Sequence, residues 1–362
     1  MKRIPQIDGL RAIAILLVIT FHYVNNQLVN SASTAGVFFY RLTSFGWIGV
    51  DLFFVISGFL IGSILLLNRK SPKLYKTFYI RRFVRIVPNY YLLIVLFLVI
   101  QSLPYFRNDY FVSGNNVIPS WSYFLMIHNF FMARLQNMGN DALSVTWSIG
   151  IEEQFYLIFP LIILTIKEKY LPILLVLLII SANYFRSLYA HWIPAYVLLP
   201  CRMDSISFGI LIAWLYTNYD MEQFVQRHKI KLTGIIAIVA IGCLYLFYEY
   251  QDLGFIRNTL FALVFACSIV LAIGTPNSFY SRILSHKILY HIGKISYSLY
   301  LFHYLILGIF NHFGNEFLNM KDTFTRILLT MTAFLFALFF SWMVYQFLEK
   351  KAVAIGKKFS YS

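Results

Sequence analysis

Long apolar runs dominate the chain, and short stretches rich in Lys, Arg, Tyr and Asn separate them. A helix that crosses a bilayer needs about 20 mostly apolar residues. Runs of that kind lie at 10–28, 46–67, 85–103, 144–166, 171–187, 198–217, 232–249, 257–274, 293–311 and 324–347. The pattern predicts an all-α protein, a polytopic transmembrane bundle of about ten helices. The run at 171–187 is short and opens near Pro172. The stretch 120–134 (WSYFLMIHNFFMARL) is aromatic and interrupted, which suits an interfacial or re-entrant piece.

Composition narrows the class. Of 362 residues, 59% are hydrophobic and 12% charged, half the charge of an ordinary soluble domain. A soluble fold of this length could not hide so much apolar surface. Three cysteines (Cys201, Cys243, Cys267), each in an apolar stretch, do not make a disulfide scaffold. The first apolar run follows Lys2 and Arg3 as in a signal peptide, but it lacks a small-residue cleavage site and contains Arg11 and His22. It reads as a helix of the mature protein.

The net charge of +15 would suggest nucleic acid in a soluble protein, but its distribution says otherwise. With the N-terminus in the cytoplasm, 22 Lys and Arg fall on inner segments and seven on outer ones, with Arg202 inside a span. That asymmetry predicts a multi-pass protein of the cytoplasmic (inner) membrane with both termini inside. It accounts for the basicity through membrane lipids, with no nucleic-acid partner. No paired broken helices mark two halves, the usual trace of a duplicated transporter.

Ionisable residues inside spans are costly and default to function. In IDGLRAIAILLVITFHY, eleven residues separate Arg11 from His22, which on a regular helix puts both on one face, about 16 Å apart along the axis. Taken singly, Arg11 is equally a snorkelling anchor and His22 a packing residue. Arg81, Arg82 and Arg85 cluster at the lead-in to the third span, ahead of Pro88, which is expected to bend the chain into the bilayer. The cluster is either a positive-inside anchor or a cytoplasmic site for a phosphate-rich ligand. In SVTWSIGIEEQFYLIFP, Glu152 and Glu153 diverge by about 100° on a helix, so they serve different roles. One could pair with Arg202 and the other act as acid, base or an orienting group for a histidine. Asp51, Ser57 and His303 are weaker candidates, with Ser57 and Gly58 suited to a close approach. The eight histidines form no metal-binding pair on one face, so no metal is expected.

Several blocks together resemble the acyltransferase-3 family of membrane-bound acyltransferases that modify surface carbohydrates. They are IDGLRAIAILLVITFH with its Arg-x10-His pair, GVDLFFVISGFLIG, Arg82-x-x-Arg85, TWSIGIEEQFYLIFPL, RMDSISFGIL and ISYSLYLFH. The resemblance spans essentially the whole chain. It implies O-acyl transfer from cytoplasmic acyl-CoA, usually acetyl-CoA, to a hydroxyl of lipopolysaccharide, peptidoglycan or another glycan, free or lipid-linked. It implies that His22 and Arg11 are needed for activity, and that the basic lead-in (Arg81, Arg82, Arg85) contacts the CoA. Some relatives carry an extra extracytoplasmic domain. Here the expected organisation is a membrane domain over 1–350 and a basic cytoplasmic tail over 351–362, with no separate soluble domain, so that transfer finishes in the membrane or with a partner protein. A polyanionic donor inside and an acceptor outside call for such a basic rim leading to an intramembrane histidine. His22 could deprotonate the acceptor or carry the acyl group. A flippase of a glycan intermediate, or a scaffold, are the rivals.

Span geometry adds one expectation. From an inner edge near Leu10, His22 lies about 18 Å into the hydrocarbon, and from an outer edge near Ser144, Glu152 lies about 12 Å in. In a core of about 30 Å these depths coincide, and His303 falls near the same layer. His22 and Glu152 are therefore expected to line one cavity, Glu152 orienting the imidazole, with Arg202 as the carboxylate's alternative partner.

The charge count makes a topological prediction. Loops near Lys70, Lys167 and Lys229 are cytoplasmic, and those near Asn115 and Asp252 external. A single cysteine at position 70 should resist a membrane-impermeant thiol reagent in intact cells, and labelling there would reverse the orientation.

Overall fold

A computed structural model describes residues 3–28, 33–106, 117–189, 191–249, 254–318 and 322–361. Asn115 and Asp252, the expected external positions, lie outside the described residues, as do Lys2, Arg107 and Lys321. The protein is all-helical, with no strand among the described residues. In chain order the helices are α1 Pro5–Ile19, α2 Thr34–Thr43, α3 Gly49–Leu67, α4 Leu74–Ser102, α5 Ser120–Phe124, α6 His128–Leu135, α7 Trp147–Thr165 and α8 Leu171–Ser187. They continue as α9 Trp192–Val197, α10 Met203–Asn218, α11 Met221–Glu249, α12 Gly254–Gly274, α13 Phe279–Leu284, α14 Lys287–Phe317, α15 Thr323–Val344 and α16 Lys350–Lys357.

Among the described residues, eight helical segments are long and apolar enough to cross a membrane. The expected runs at 198–217 and 232–249 are not among these eight; they fall on α10, of 16 residues, and on the later part of α11, of 29 residues. Three expectations change shape. The surface helix and span expected on either side of Pro88 are one helix of 29 residues, with Pro88 in its interior. At 1.5 Å per residue α4 is about 43 Å long, enough to carry its arginine-bearing first third beyond a 30 Å core. The first span is not regular to its end, because a π-helical turn follows α1 at Thr20–Asn25. The basic tail is not a free extension, since α16 packs along α4.

The fold divides into two compact units. One comprises residues 1–14, 47–71 and 151–294; the other comprises 15–46, 72–150 and 295–362.

In the first unit α3 and α10 form the tightest helix pair. The reason is legible in small residues one turn apart. Gly58 and Gly62 on α3 face Gly209 and Ala213 on α10. A Cβ on Gly58 would lie 2.2 Å from the Ile206 carbonyl oxygen, and one on Gly209 would lie 2.1 Å from that of Val55. Hydrocarbon gives apolar helices no hydrophobic reason to associate, so close backbone approach and dispersion supply the attraction. Around this seam Leu52, Val55, Ile56, Phe59, Ile212, Val225, Ala266 and Ile269 form the buried core.

The second unit is organised on α14. Tyr297 donates to the Ile86 carbonyl of α4 (2.9 Å), and Phe302 meets Phe340 of α15 edge-on. Buried tyrosines tie the irregular segment expected at 120–134, which is two short helices broken at Met126 (φ 55°). Tyr90 of α4 donates to the Tyr123 carbonyl (2.8 Å). His128 is fully buried, stacked on Tyr123 and hydrogen-bonded to Thr146 (3.0 Å), and burial pushes its pKa down to about 4. That histidine is a core group.

Outward faces stay apolar. Ile173, Val176, Leu177 and Ile180 of α8, and Leu328, Met331, Leu335 and Phe339 of α15, are exposed. The apolar windows of these two segments are only 22% buried in protein, which in water would be an aggregation surface and in a bilayer is the lipid-facing side.

The glycine seam is testable. Gly209→Val should cost about 1–3 kcal/mol through overpacking and lower the melting temperature in detergent. Gly234→Ala, inside helix α11 with nothing within 4 Å of the added carbon, should not lower it. An unaltered melting temperature for Gly209→Val would show that the seam is not close-packed.

Candidate functional site

Both units hold polar groups at the heart of apolar helices. In the first, two ion pairs are built on α10. Arg202, at its start, donates through Nη1 to Asp51 Oδ1 (3.0 Å), with both side chains about 1% exposed. Ser205 Oγ and Asn258 Nδ2 donate to the two oxygens of the same carboxylate (3.0 and 3.2 Å). The Tyr196 ring lies 4.4 Å from the Arg202 guanidinium carbon. Two residues on, Asp204 accepts from Arg186 Nη2 (2.8 Å) and from the Thr259 hydroxyl (2.5 Å). The arginine ion pair is therefore made with Asp51, a residue ranked low from the sequence. Several hydrogen bonds to each carboxylate are what keep such ions tolerable in a low-dielectric interior.

Glu152 stands elsewhere in the same unit. Ser57 Oγ donates to its Oε1 (2.6 Å) and Tyr156 OH to its Oε2 (3.2 Å). Ser57 is thus a carboxylate partner, while its neighbour Gly58 makes the close approach. Glu153 and Arg11 are half-buried.

The second unit holds the histidines. The π turn at Thr20–Asn25 carries His22, and its end is pinned by Asn25 Nδ2 donating to the Tyr40 carbonyl (2.7 Å). The regular-helix extrapolation from Arg11 does not extend to His22, because the turn widens from Thr20 onward. π turns are uncommon and concentrate at functional positions. His22 Nδ1 lies 2.9 Å from His303 Nε2 of α14. His303 is fully buried, with its Nδ1 2.7 Å from the Tyr300 carbonyl. Tyr304 stacks on the His22 ring (centroids 4.5 Å, 27°), and Tyr23 OH donates to the His303 carbonyl (2.7 Å). His22 itself is half-buried. The pair is two histidines 281 positions apart, one sealed and one partly open. Nδ1 of His22 is therefore taken up by His303.

Two features of this unit were not read from the sequence. Tyr300 OH bonds Ser148 Oγ (2.7 Å) and the Val145 carbonyl (2.9 Å), locking the turn of α14 that presents His303. Glu349, 5% exposed, accepts from Ser298 (2.7 Å) and Asn89 (3.2 Å). The only cue in the sequence was a carboxylate directly after an apolar span.

The basic lead-in divides. Arg81 donates through Nε and Nη2 to the Phe359 carbonyl (2.9 and 2.5 Å), and its guanidinium covers the Tyr361 ring at 4.8 Å. Thr77 donates to the Ser360 carbonyl (2.9 Å). Burial pushes the Tyr361 phenol up, against the opposing pull of Arg82 and Arg81. Arg81 therefore clamps the C-terminal segment onto α4. Arg82 rests over Phe78 (5.8 Å) and Arg85 is half-buried. Among the described residues no group of three His, Cys, Asp or Glu side chains is placed to hold a metal.

Fold and site together define a multi-pass membrane protein with a histidine pair and buried carboxylates inside its helices. The chain belongs to the acyltransferase-3 family, whose sequence model, described as an acyltransferase domain, matches residues 4–346. It is similar to the peptidoglycan O-acetyltransferase OatA of Listeria monocytogenes, 32% identical over 330 residues, which cover 85% of this chain and 50% of that protein. It is also similar to the O-acetyltransferase OatA of Staphylococcus aureus, 28% identical over 341 residues, covering 86% of this chain and 52% of the relative. The chain thus spans about half the length of the curated relatives it matches. No solved structure matches it.

The ion pair gives a stability prediction. Arg202→Met should cost about 3–5 kcal/mol by leaving Asp51 buried without its counter-ion. Arg202→Met with Asp51→Asn should recover much of the loss in detergent melting temperature. A single variant as stable as the parent would make the pair dispensable.

Proposed function

We propose that this chain is an integral membrane O-acetyltransferase. It takes an acyl group, acetyl by the names of its relatives, from acyl-CoA on the cytoplasmic side and delivers it to a hydroxyl of a cell-envelope glycan. Peptidoglycan is the first acceptor to test, because the Listeria relative is named for it. The reading assigns the protein to the cytoplasmic membrane with both termini inside, as the Lys and Arg distribution favours.

One observation carries the reading: a partly buried imidazole backed by a fully buried one, inside apolar helices, on the family's Arg-x10-His block. A lone packing histidine needs no such support. In the proposed reaction the acceptor hydroxyl oxygen attacks the thioester carbonyl carbon while His22 receives the hydroxyl proton. The C–S bond then breaks, and the CoA sulfur leaves with the electron pair and takes that proton. Arg82 and Arg85 are assigned to the CoA phosphates, since guanidinium forks match phosphate geometry. Arg81 is left out, being engaged by Phe359. Arg11, Glu152 and Glu153 are kept as candidates for the reaction, Glu152 being the carboxylate that accepts from Ser57 and Tyr156.

Mass spectrometry of envelope glycan should show an acetyl-sized increment in cells expressing the chain, absent with His22→Gln. Arg82→Gln with Arg85→Gln should weaken CoA binding about tenfold or more, the loss shrinking at high salt. Glycan without any added mass, but with movement of a glycan intermediate across the membrane, would favour a flippase instead.

A further inference from the structure

Hydrogen-bond donors and acceptors around the two histidines fix more than their positions. The Tyr300 carbonyl can only accept, so His303 Nδ1, 2.7 Å away, carries a proton. In a neutral imidazole the other nitrogen is then a bare lone pair. That nitrogen, Nε2 of His303, faces His22 Nδ1 at 2.9 Å, so in the neutral pair His22 Nδ1 must be the donor. The proton on His22 is thereby committed to Nδ1, and its own lone pair lies on Nε2.

The surroundings hold the arrangement. Stacking on Tyr304 fixes the plane of the His22 ring, and Tyr23 OH grips the carbonyl of His303 itself. His303 is sealed from solvent, so no water competes for its Nε2.

We propose that His303 is a positioning residue that selects the Nδ1–H tautomer of His22 and so leaves His22 Nε2 as the atom that takes the proton from the acceptor hydroxyl. The inference rests on the reading of His22 as the acting residue. When Nε2 gains the hydroxyl proton, His22 becomes a cation and its Nδ1–H a stronger donor, held by the His303 lone pair until the proton passes to the CoA sulfur. The role a carboxylate plays in a Ser-His-Asp triad falls here to a second imidazole anchored on a backbone carbonyl. Free imidazole favours the opposite tautomer only slightly, so one good acceptor decides the choice.

Two readouts test this. Nitrogen-15 NMR of histidine-labelled protein in bilayers, with His22 assigned by comparison with His22→Gln, should show a protonated Nδ1 and a bare Nε2 at His22. A bare Nδ1 there would overturn the proposal whatever the activity. His303→Phe keeps the ring's bulk without the acceptor and should bind CoA like the parent while losing about a hundredfold or more in kcat. His303→Gln places Oε1 where Nε2 stood and should restore most of that loss, which a merely structural residue would not require. A folded, CoA-binding His303→Phe variant with the parent's kcat would also overturn the proposal. Full activity in His22→Gln would instead remove the reading of His22 itself, and the NMR result would still decide the tautomer. Should His303→Phe fail to fold, the spectrum of the parent decides alone.

Discussion

Hydrocarbon offers neither hydrogen bonds nor screening, and that constraint governs the polar side chains described within the spans of this protein. Asp51, Asp204, Arg186 and Arg202 survive in the first unit because the two carboxylates and the two guanidinium groups bond to one another and to neighbouring hydroxyl and amide groups. The histidines survive in the second because the chain spends a π turn, a backbone carbonyl and three tyrosines on them. The same constraint leaves the outward faces of α8 and α15 dominated by Ile, Leu, Val, Phe and Met. Apolar exposure and polar saturation are two consequences of one solvent.

Much of this was legible along the chain, and what was legible follows from period and length. An apolar run of about 20 residues between basic loops can hardly be anything but a membrane helix. Gly58 was expected to suit a close approach, and α10 supplies the approaching backbone. The residues flagged as costly in spans, His22, Asp51, Glu152, Arg202 and His303, are all hydrogen-bonded. Their pairing was not legible. The partners are separated by 151 positions for Asp51 and Arg202 and by 281 for the histidines, and no local pattern encodes contacts across such distances.

One further misreading concerns the backbone. A regular helix through His22 was inferred from a local backbone rule. Tertiary packing overrode it: the π turn is held by Asn25 on the Tyr40 carbonyl. Arg81 shows the same lesson for charge. Three arginines within one turn read as one cluster, yet Phe359 and Tyr361 claim the first of them for anchoring. Sequence clustering counts charges, whereas the fold decides which remain to meet a ligand.

The choice of a second histidine behind His22 answers a difficulty specific to this solvent. A carboxylate in that position would carry a full charge in the waiting state, with a desolvation cost of several kcal/mol unless donors surrounded it. Glu152 shows what that requires, with Ser57 and Tyr156 donating to its two oxygens. Two neutral imidazoles on a carbonyl need no counter-ion while waiting. In the proposed reaction a charge arises on the pair only while the proton is in transit, and it is then shared across a 2.9 Å hydrogen bond. A membrane enzyme that must deprotonate a hydroxyl gains by holding its base this way: the electrostatic support appears when the transition state needs it and costs little before.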